Sequence, residues 1–448
     1  MARLFGTDGV RGVANSELSC ELAHQLGKAG AQVLVSDRRK PTIIVGRDPR
    51  ASGDMLSCAL MAGICSVGAH AIDVGVVTTP AIAMLVREYG ADAGVMISAS
   101  HNPAKDNGIK FFNGQGYKLS DALEDRIEGI IRSGESLPCP IGDDLGRIER
   151  DGQAQRRYID LLKNKLPLDL SGLHLVLDCA NGSASAIAPV LFRELGAQVT
   201  ALHAQPDGMN INRGCGSTHP ESLADAVQAL GADVGLAFDG DADRLIAVDE
   251  KGALVDGDQV LVICATDLKR QGKLKGNTVV ATVMSNLGLD LALQAQGICV
   301  ERTAVGDRYV LENMLENGFV LGGEQSGHVI FLEHNTTGDG LMTAMQLLST
   351  LKASGKPLSA LAGAMEVLPQ VLVNVRVREE KKHAFASDPE LREAIAQAEQ
   401  ALQGQGRVLV RPSGTEALVR IMVEGKDRAQ IQALVESLAE RMRRRLGD

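Results

Sequence analysis

Short apolar runs closed by polar and glycine residues alternate along this chain with longer stretches whose apolar positions recur at helical spacing. The first cycle predicts a helix over 17–34, a strand over 42–48, a helix over 54–66 and a strand over 69–75. A helix over 78–88 then leads into Ala93-Gly94-Val95-Met96-Ile97, an apolar run that reads as a buried strand. This order favours a mainly parallel sheet, because parallel neighbours need a crossover between them. The cycle returns twice. Strands over 173–178 and 198–202 flank a helix over 186–195, and strands over 278–283 and 298–300 flank a helix over 288–296. In each cycle a glycine (Gly68, Gly196, Gly297) stands where the helix must stop. Three similar modules in tandem make a repeat of architecture.

Linker-like composition breaks the pattern at Ser133-Gly134-Glu135-Ser136-Leu137-Pro138-Cys139-Pro140 and on to about Gly152, and again near Gly355-Lys356-Pro357. The last hundred residues differ in kind. Strands over 371–377, 407–410 and 418–423 alternate with a charged helix over 388–402 and a terminal helix from Asp427. The expected fold is therefore α/β: three tandem α/β domains with mixed, mainly parallel sheets plus a smaller C-terminal α+β domain, around a central cleft. The expected boundaries are 1–150, 151–252, 253–366 and 367–448. A chain of 448 residues also exceeds what one core usually fills.

Composition narrows the function. Aromatics are 3% with no tryptophan, so a sugar site here cannot rest on a tryptophan platform. A net charge of −10 argues against a nucleic-acid partner held by a general basic surface, and any anion must be met by locally collected arginines. The basic run Arg441-Met442-Arg443-Arg444-Arg445 reads as the last turn of a helix, where cations suit the dipole. Eight scattered cysteines without a CxxC pair indicate reduced thiols rather than a disulfide framework or zinc site. The N-terminus lacks the apolar core of a signal peptide, and no run approaches the roughly 18 apolar residues of a membrane span. A cytoplasmic protein with no membrane partner is expected.

Four polar stretches carry the candidate chemistry. In Ser98-Ala99-Ser100-His101-Asn102-Pro103 a buried strand ends in hydroxyls, a histidine and Asn-Pro, which forces the chain out of helix. Ser100 is either a hydroxyl presented for reaction beside His101 or part of a turn that only satisfies local backbone groups. In Asp239-Gly240-Asp241-Ala242-Asp243-Arg244, carboxylates at alternate positions of an extended backbone point to one side and need a cation between them. Hard oxygen ligands imply Mg²⁺ or Ca²⁺; an EF-hand is disfavoured because its sixth position is Arg244, not glycine, and its flanks read as strands, and a plain acidic turn is the other alternative. Arg244 adds positive charge where an anionic substrate would meet the metal. In Gly322-Gly323-Glu324-Gln325-Ser326-Gly327-His328, Glu324 and Ser326 supply an acceptor and a hydroxyl suited to two sugar hydroxyls, or the stretch is a plain glycine-rich hairpin. Arg411-Pro412-Ser413-Gly414-Thr415-Glu416, with Arg420 across the next strand, offers an anion nest and two guanidinium groups, or a capping turn. Arg11, in the glycine-punctuated opening segment, is an anion clamp or a solvated surface arginine. No Walker A, GxGxxG, GxSxG or HExxH pattern is present. A reactive hydroxyl, a divalent-metal cage, a hydroxyl-reading loop and a phosphate nest together describe phosphoryl transfer on a sugar phosphate.

These motifs, with Arg3-Leu4-Phe5-Gly6-Thr7-Asp8-Gly9-Val10-Arg11-Gly12 at the start, resemble the α-D-phosphohexomutase family from residue 3 to about 424. The opening segment and the 323–328 loop most resemble the branch that works on amino sugars. The resemblance implies an isomerase that interconverts glucosamine 6-phosphate and glucosamine 1-phosphate through a phosphoserine at Ser100 and a sugar 1,6-bisphosphate, intermediate and activator. It implies one Mg²⁺ per chain on Ser100, Asp239, Asp241 and Asp243. It further implies sugar hydroxyls on Glu324 and Ser326, and the non-reacting phosphate on Arg411, Ser413, Gly414, Thr415 and Arg420. Lys110 matches a position that assists proton transfer, and Arg11, His101 and His328 match positions lining the reaction centre. Small-molecule sugar phosphates are the implied partners, with a homodimer through the first domain. One departure is Ala417, where the pattern has proline; the loop keeps its phosphate ligands and loses stiffness. Mannose or glucose phosphates are the alternative substrates within the family, Gln325 favouring the amino sugar. A non-catalytic sugar-phosphate sensor is the alternative outside it.

Overall fold

The computed structural model describes residues 3–6, 8–34, 40–402, 405–413 and 417–447. They form two compact units, one of residues 1–284 with 297–364 and one of residues 285–296 with 365–448. The larger unit contains three sheets. The first runs β1 (Val10–Val13), β2 (Thr42–Arg47), β3 (His70–Val76), β4 (Ala93–Ile97), β5 (Asp106–Asn113) and β6 (Ile148–Arg150) in chain order, and is arranged β1-β5-β4-β2-β3-β6. Strands β4, β2, β3 and β6 run parallel, and β5 runs antiparallel to both its neighbours, β4 and β1. Ile43, Val45, Val95 and Ile97 from the sheet pack with Leu56, Leu60 and Ile64 of the Ser52–Ser66 helix in one core. Burying side chains of this size supplies about 1.5–3 kcal/mol each.

The second sheet holds β7 (His174–Asp178), β8 (Gln198–Leu202), β9 (Val234–Phe238), β10 (Leu245–Asp249) and β11 (Leu254–Val255) in the order β11-β10-β9-β7-β8. The third holds β12 (Thr278–Thr282), β13 (Cys299–Thr303), β14 (Leu321–Gly323) and β15 (Val329–Phe331), ordered β13-β12-β14-β15. Gly68, Gly196 and Gly297 all take left-handed backbone, φ 90°, 94° and 65°, which is why the helices before them stop there. The smaller unit is built on an antiparallel sheet of β16 (Gln370–Arg376), β17 (Gly406–Pro412) and β18 (Leu418–Gly425), ordered β16-β18-β17. The Pro389–Ala401 and Arg428–Leu446 helices close its core over Val375, Val419, Ile421 and Val423. Arg443, Arg444 and Arg445 occupy the last helical turn, where Arg445 pairs with Asp388 and Arg444 with Glu390.

Three details differ from the expectation. The linker-like stretch contains β6, a three-residue edge strand whose side chains are all exposed, so no apolar pattern announces it. The composition shift at Gly355 is only the left-handed cap of the Gly340–Ser354 helix. The Leu358–Ala362 helix still belongs to the larger unit, where Gln259 Nε2 donates to Ala362 O at 3.4 Å. The Leu287–Gln294 helix, between β12 and β13 in sequence, groups with the smaller unit. There Leu287 N donates to Glu424 Oε1 (2.8 Å) and Asn286 exchanges two bonds with Leu368. Among the described residues no helix is long and apolar enough to cross a membrane, and all eight cysteines are free.

Candidate active site

Ser100, Asp239 and Glu324 each lie just beyond the C-terminal end of a strand, β4, β9 and β14. In open α/β sheets that end is where ligands bind, because the loops there are freed from ladder pairing. Ser100 is buried and takes left-handed backbone, φ 52°, which a side chain ordinarily avoids at a cost of about 1–2 kcal/mol. Its carbonyl is held in place by two donors, Arg50 Nη2 and Asn212 Nδ2, both at 2.8 Å. Arg50 also donates to the carbonyls of Asn102 and Pro103 and, through Nε, to the buried Asp48. Asp48 in turn accepts from Ser98 Oγ (2.6 Å), and Ser98 Oγ accepts the Ser100 amide. The strain at Ser100 is therefore over-determined by a buried hydrogen-bonded cluster, as strained functional positions require.

The Ser100 hydroxyl donates to Asp239 Oδ2 at 2.6 Å. Asp239, Asp241 and Asp243 are buried, with one oxygen from each within 4.8 Å of the others. The backbone here is not extended, contrary to the sequence reading. The Ala242 amide donates to Asp239 O at 3.0 Å, and Ala242 has φ 57°, so a tight turn gathers the three carboxylates. A Cβ on Gly240 would lie 2.4 Å from Ser100 O, so only glycine lets this turn approach the serine loop. Burial, then Asp243 and Asp241, push Asp239 well above the usual carboxylate range. Burial would also raise Asp241, but the Lys110 charge and hydrogen bond, with that of Thr79, outweigh it and hold Asp241 low. The bonds are Lys110 Nζ to Oδ2 at 2.8 Å and Thr79 Oγ1 to Oδ2 at 2.6 Å.

The donor set fits a hard divalent cation. Asp241 Oδ1 and Asp243 Oδ1 are buried oxygens with no hydrogen-bond donor. Two orphaned acceptors in a three-carboxylate cage are what an oxygen-seeking ion such as Mg²⁺ would satisfy.

Cationic groups ring this cage. Lys110 is buried between Asp241 and Asp8 (2.9 Å), whose charges outweigh burial and keep it an ammonium. Asp8 also pairs with Arg11 and with Lys118 Nζ (2.8 Å), and Lys118 reaches Asp307 at 2.6 Å. His328 places Nδ1 3.5 Å from Asp243 Oδ2 and Nε2 3.5 Å from Asp307. Gly338 N donates to Nε2 (3.1 Å), which assigns the ring proton to Nδ1, facing Asp243. His101 Nδ1 lies 3.4 Å from Ser100 Oγ; burial, Arg244 and Arg11 lower its pKa, so this imidazole is neutral at pH 7. Arg244 Nε stands 3.8 Å from Asp243.

Glu324 sits at the mouth of the β14–β15 hairpin, with Oε1 accepting Gly306 N at 3.2 Å. Ser326 is exposed beside it. Leu245 N donates to Gly327 O, which ties this hairpin to the strand leaving the aspartate turn. Gln325, the residue taken to favour an amino sugar, donates to Asp256 Oδ2 (3.1 Å). Asp256 caps the Gly257–Arg270 helix, so Gln325 fixes the loop to that cap.

In the smaller unit, Arg411 on β17 stands directly opposite Arg420 on β18. Burial and then Arg420 lower the Arg411 pKa. Ser413 is buried, with its amide bonded to Leu418 O at 2.8 Å. Gly414 and Thr415, like Thr7 of the opening segment, lie outside the described residues.

The larger unit thus brings together Arg11, Ser100, His101, Lys110, the three aspartates, Arg244 and His328. Reading the sequence missed Asp8, Arg50, Thr79, Lys118, Asn212 and Asp307. Several stand next to strand ends, Arg50 after β2 and Thr79 after β3, and a polar residue in that place was the available signal.

The chain matches phosphoglucomutase/phosphomannomutase alpha/beta/alpha domain I over residues 2–137, domain II over 156–252, domain III over 256–368 and the C-terminal domain over 372–441. It is 58% identical to a phosphoglucosamine mutase of Thermoanaerobacter sp. (strain X514), with 100% of each chain covered. Among solved structures it resembles a phosphoglucomutase/phosphomannomutase family protein of Burkholderia thailandensis (TM-score 0.83, 24% identity, 99% of this chain and 98% of that one). It also resembles a putative phosphomannomutase of Thermus thermophilus (TM-score 0.76, 26% identity, 98% and 99%).

Proposed function

The chain belongs to the phosphoglucomutase/phosphomannomutase family, and from that premise we propose that it interconverts glucosamine 6-phosphate and glucosamine 1-phosphate through a phosphoserine at Ser100. The observation that carries this reading is the Ser100 hydroxyl 2.6 Å from Asp239 inside a buried cage of three carboxylates. Full-length relatives at 56–58% identity bearing the name phosphoglucosamine mutase support the choice of sugar.

In the forward half-reaction the bond from phosphorus to Ser100 Oγ breaks as one forms to the free sugar oxygen, whose proton leaves. His101, held neutral, has the state needed to take it. Lys110, held as an ammonium by Asp241 and Asp8, lends positive charge beside the transferring group, and in the reverse direction the protonated His101 returns its proton to the sugar oxygen. The resulting 1,6-bisphosphate turns round and returns its other phosphate to Ser100, so the same bisphosphate can prime the serine. Asp239, Asp241, Asp243 and the Ser100 oxygen would hold one Mg²⁺, which neutralises charge on the transferring phosphoryl group. Arg11 and Arg244 complete the positive surround, and His328 turns its Nδ1 proton toward Asp243.

The division of labour follows segments 1–150 for the serine, 151–252 for the metal, 253–366 for the sugar loop and 367–448 for the non-reacting phosphate. Glu324 and Ser326 take sugar hydroxyls. Arg411, Ser413, Gly414, Thr415 and Arg420 take the phosphate, a role supported by two guanidinium groups facing each other across one ladder. Sugar phosphates are the partners. We place the protein in the cytoplasm, a reading supported by its eight free cysteines, and regard it as a homodimer.

The test is kcat/KM on the 1-phosphates of glucosamine, glucose and mannose, with Mg²⁺ and a bisphosphate activator, for the native protein and Ser100→Ala. Preference for the glucosamine ester, lost in the variant, is the expected result. Turnover that survives in Ser100→Ala sinks the mechanism; preference for glucose or mannose sinks the substrate.

A further inference from the structure

A second group of metal-type donors lies at the C-terminal ends of β7 and β8, separate from the aspartate triad. Asp178 ends β7, His203 follows β8, and Cys215 sits in the segment before the Glu221–Leu230 helix. One donor atom from each (a carboxylate oxygen, a ring nitrogen and a sulfur) lies within 4.8 Å of the other two. Asp178 and Cys215 are fully buried. His203 Nδ1 is buried and 3.1 Å from Asp178 Oδ2, yet makes no hydrogen bond. His203 also takes left-handed backbone, φ 45°, and its carbonyl is fixed by the Asn181 amide at 2.6 Å. Asp178 already accepts the amides of Ala180 and Gly216, both at 2.9 Å, which orient it and leave lone pairs over.

The spacing suits tetrahedral coordination. Ligands about 2.0–2.3 Å from a zinc ion stand about 3.3–3.8 Å apart, so the three atoms need to move little. We infer that Asp178, His203 and Cys215 form a second metal site, for a borderline-soft divalent cation of the zinc type. The mixed sulfur, nitrogen and oxygen set selects against Mg²⁺, which prefers oxygen alone. Binding forms the Cys215 thiolate and releases its proton to solvent.

The site has a mechanical consequence. Asn212 lies three residues before Cys215; its amide bonds Ala180 O at 2.9 Å and its side chain holds the carbonyls of Ser100 and Asn102. A cation tied to Cys215, His203 and Asp178 would pin the segment that positions the serine loop. The inference does not depend on which sugar is turned over.

The full chain, with excess Mg²⁺ to fill the triad and a non-thiol reductant present, is titrated with Co²⁺. One equivalent should give a thiolate-to-cobalt charge-transfer band that Zn²⁺ displaces. The band should vanish in Cys215→Ser and persist in Asp239→Asn. His203→Asn, chosen because asparagine tolerates left-handed backbone, should weaken Co²⁺ binding about tenfold or more. Zn²⁺ should raise the Tm of the native protein and not that of His203→Asn, which decides the matter should Cys215→Ser fail to fold. No band in the native protein, or a band retained in Cys215→Ser, overturns the site.

Discussion

The aspartate turn of the larger unit and the arginine ladder of the smaller one both concentrate like charge, and they resolve it in opposite ways. Asp239, Asp241 and Asp243 are buried, and the protein supplies much of their compensation through Lys110, Thr79, Ser100 and Arg244. Arg411 and Arg420 are only partly buried and face one another across the β17–β18 ladder, where like charges directly opposite are unfavourable. The first region is compensated within the fold before any ligand arrives; the second sets two like charges opposite each other on one ladder, a place an anion would favour. Catalytic geometry needs the former, because a misplaced nucleophile costs rate. A phosphate clamp of the kind proposed for Arg411 and Arg420 is served by the latter.

The largest expected effect tests the built-in compensation. Lys110→Met leaves the buried Asp241 without its ammonium, and urea unfolding without divalent cation should show a loss of about 3–5 kcal/mol. A loss below about 1 kcal/mol would mean the aspartates are compensated in another way. Gly240→Ala sets a methyl against Ser100 O and should cut kcat about 100-fold with little change in KM, read by steady-state kinetics. Unchanged kcat would show that the turn and the serine loop are not tightly coupled.

Arg411→Lys is the converse experiment. Loss of the fork should raise KM about tenfold at similar kcat, while stability stays within about 0.5 kcal/mol. A stability loss like that of Lys110→Met would erase the contrast between the two regions. The smallest effect concerns Glu124, crowded by Asp121 and Asp125 and pushed up to about 7, mainly by burial, against the pull of Arg3. Between its usual value and about 7 the folded protein holds a proton that the unfolded chain has released, so stability falls as pH rises through that window. Glu124→Gln should flatten the fall in Tm between about pH 4.5 and 7; an unchanged slope would assign it to other groups.

Much of the frame is legible in the residues alone. The runs Ala93–Ile97 and Gln198–Leu202 are strands with the bounds their pattern predicts, because each is closed on both sides by turn-forming residues. The glycines after the helices mark their ends for a local reason, the left-handed φ that glycine tolerates. The chemistry-bearing stretches also stand out, since serine, aspartate and arginine clusters at strand ends have no packing purpose. Local pattern and local backbone preference reside in neighbouring residues, and a sequence displays them.

What only the tertiary structure decided depends on partners far apart in the chain. Alanine at φ 57° is disfavoured locally, so the turn at Ala242 is imposed by the contacts around it, and alternation wrongly suggested extended backbone. Lys118 joins Asp8 to Asp307, and Asn212 holds the Ser100 carbonyl; no spacing rule links residues separated by more than a hundred positions. Gln325 looks like a ligand-reading side chain until Asp256 is seen beside it. A side chain's type limits what it can bind, but only the fold sets which neighbour occupies it, and that neighbour determines its protonation, orientation and role.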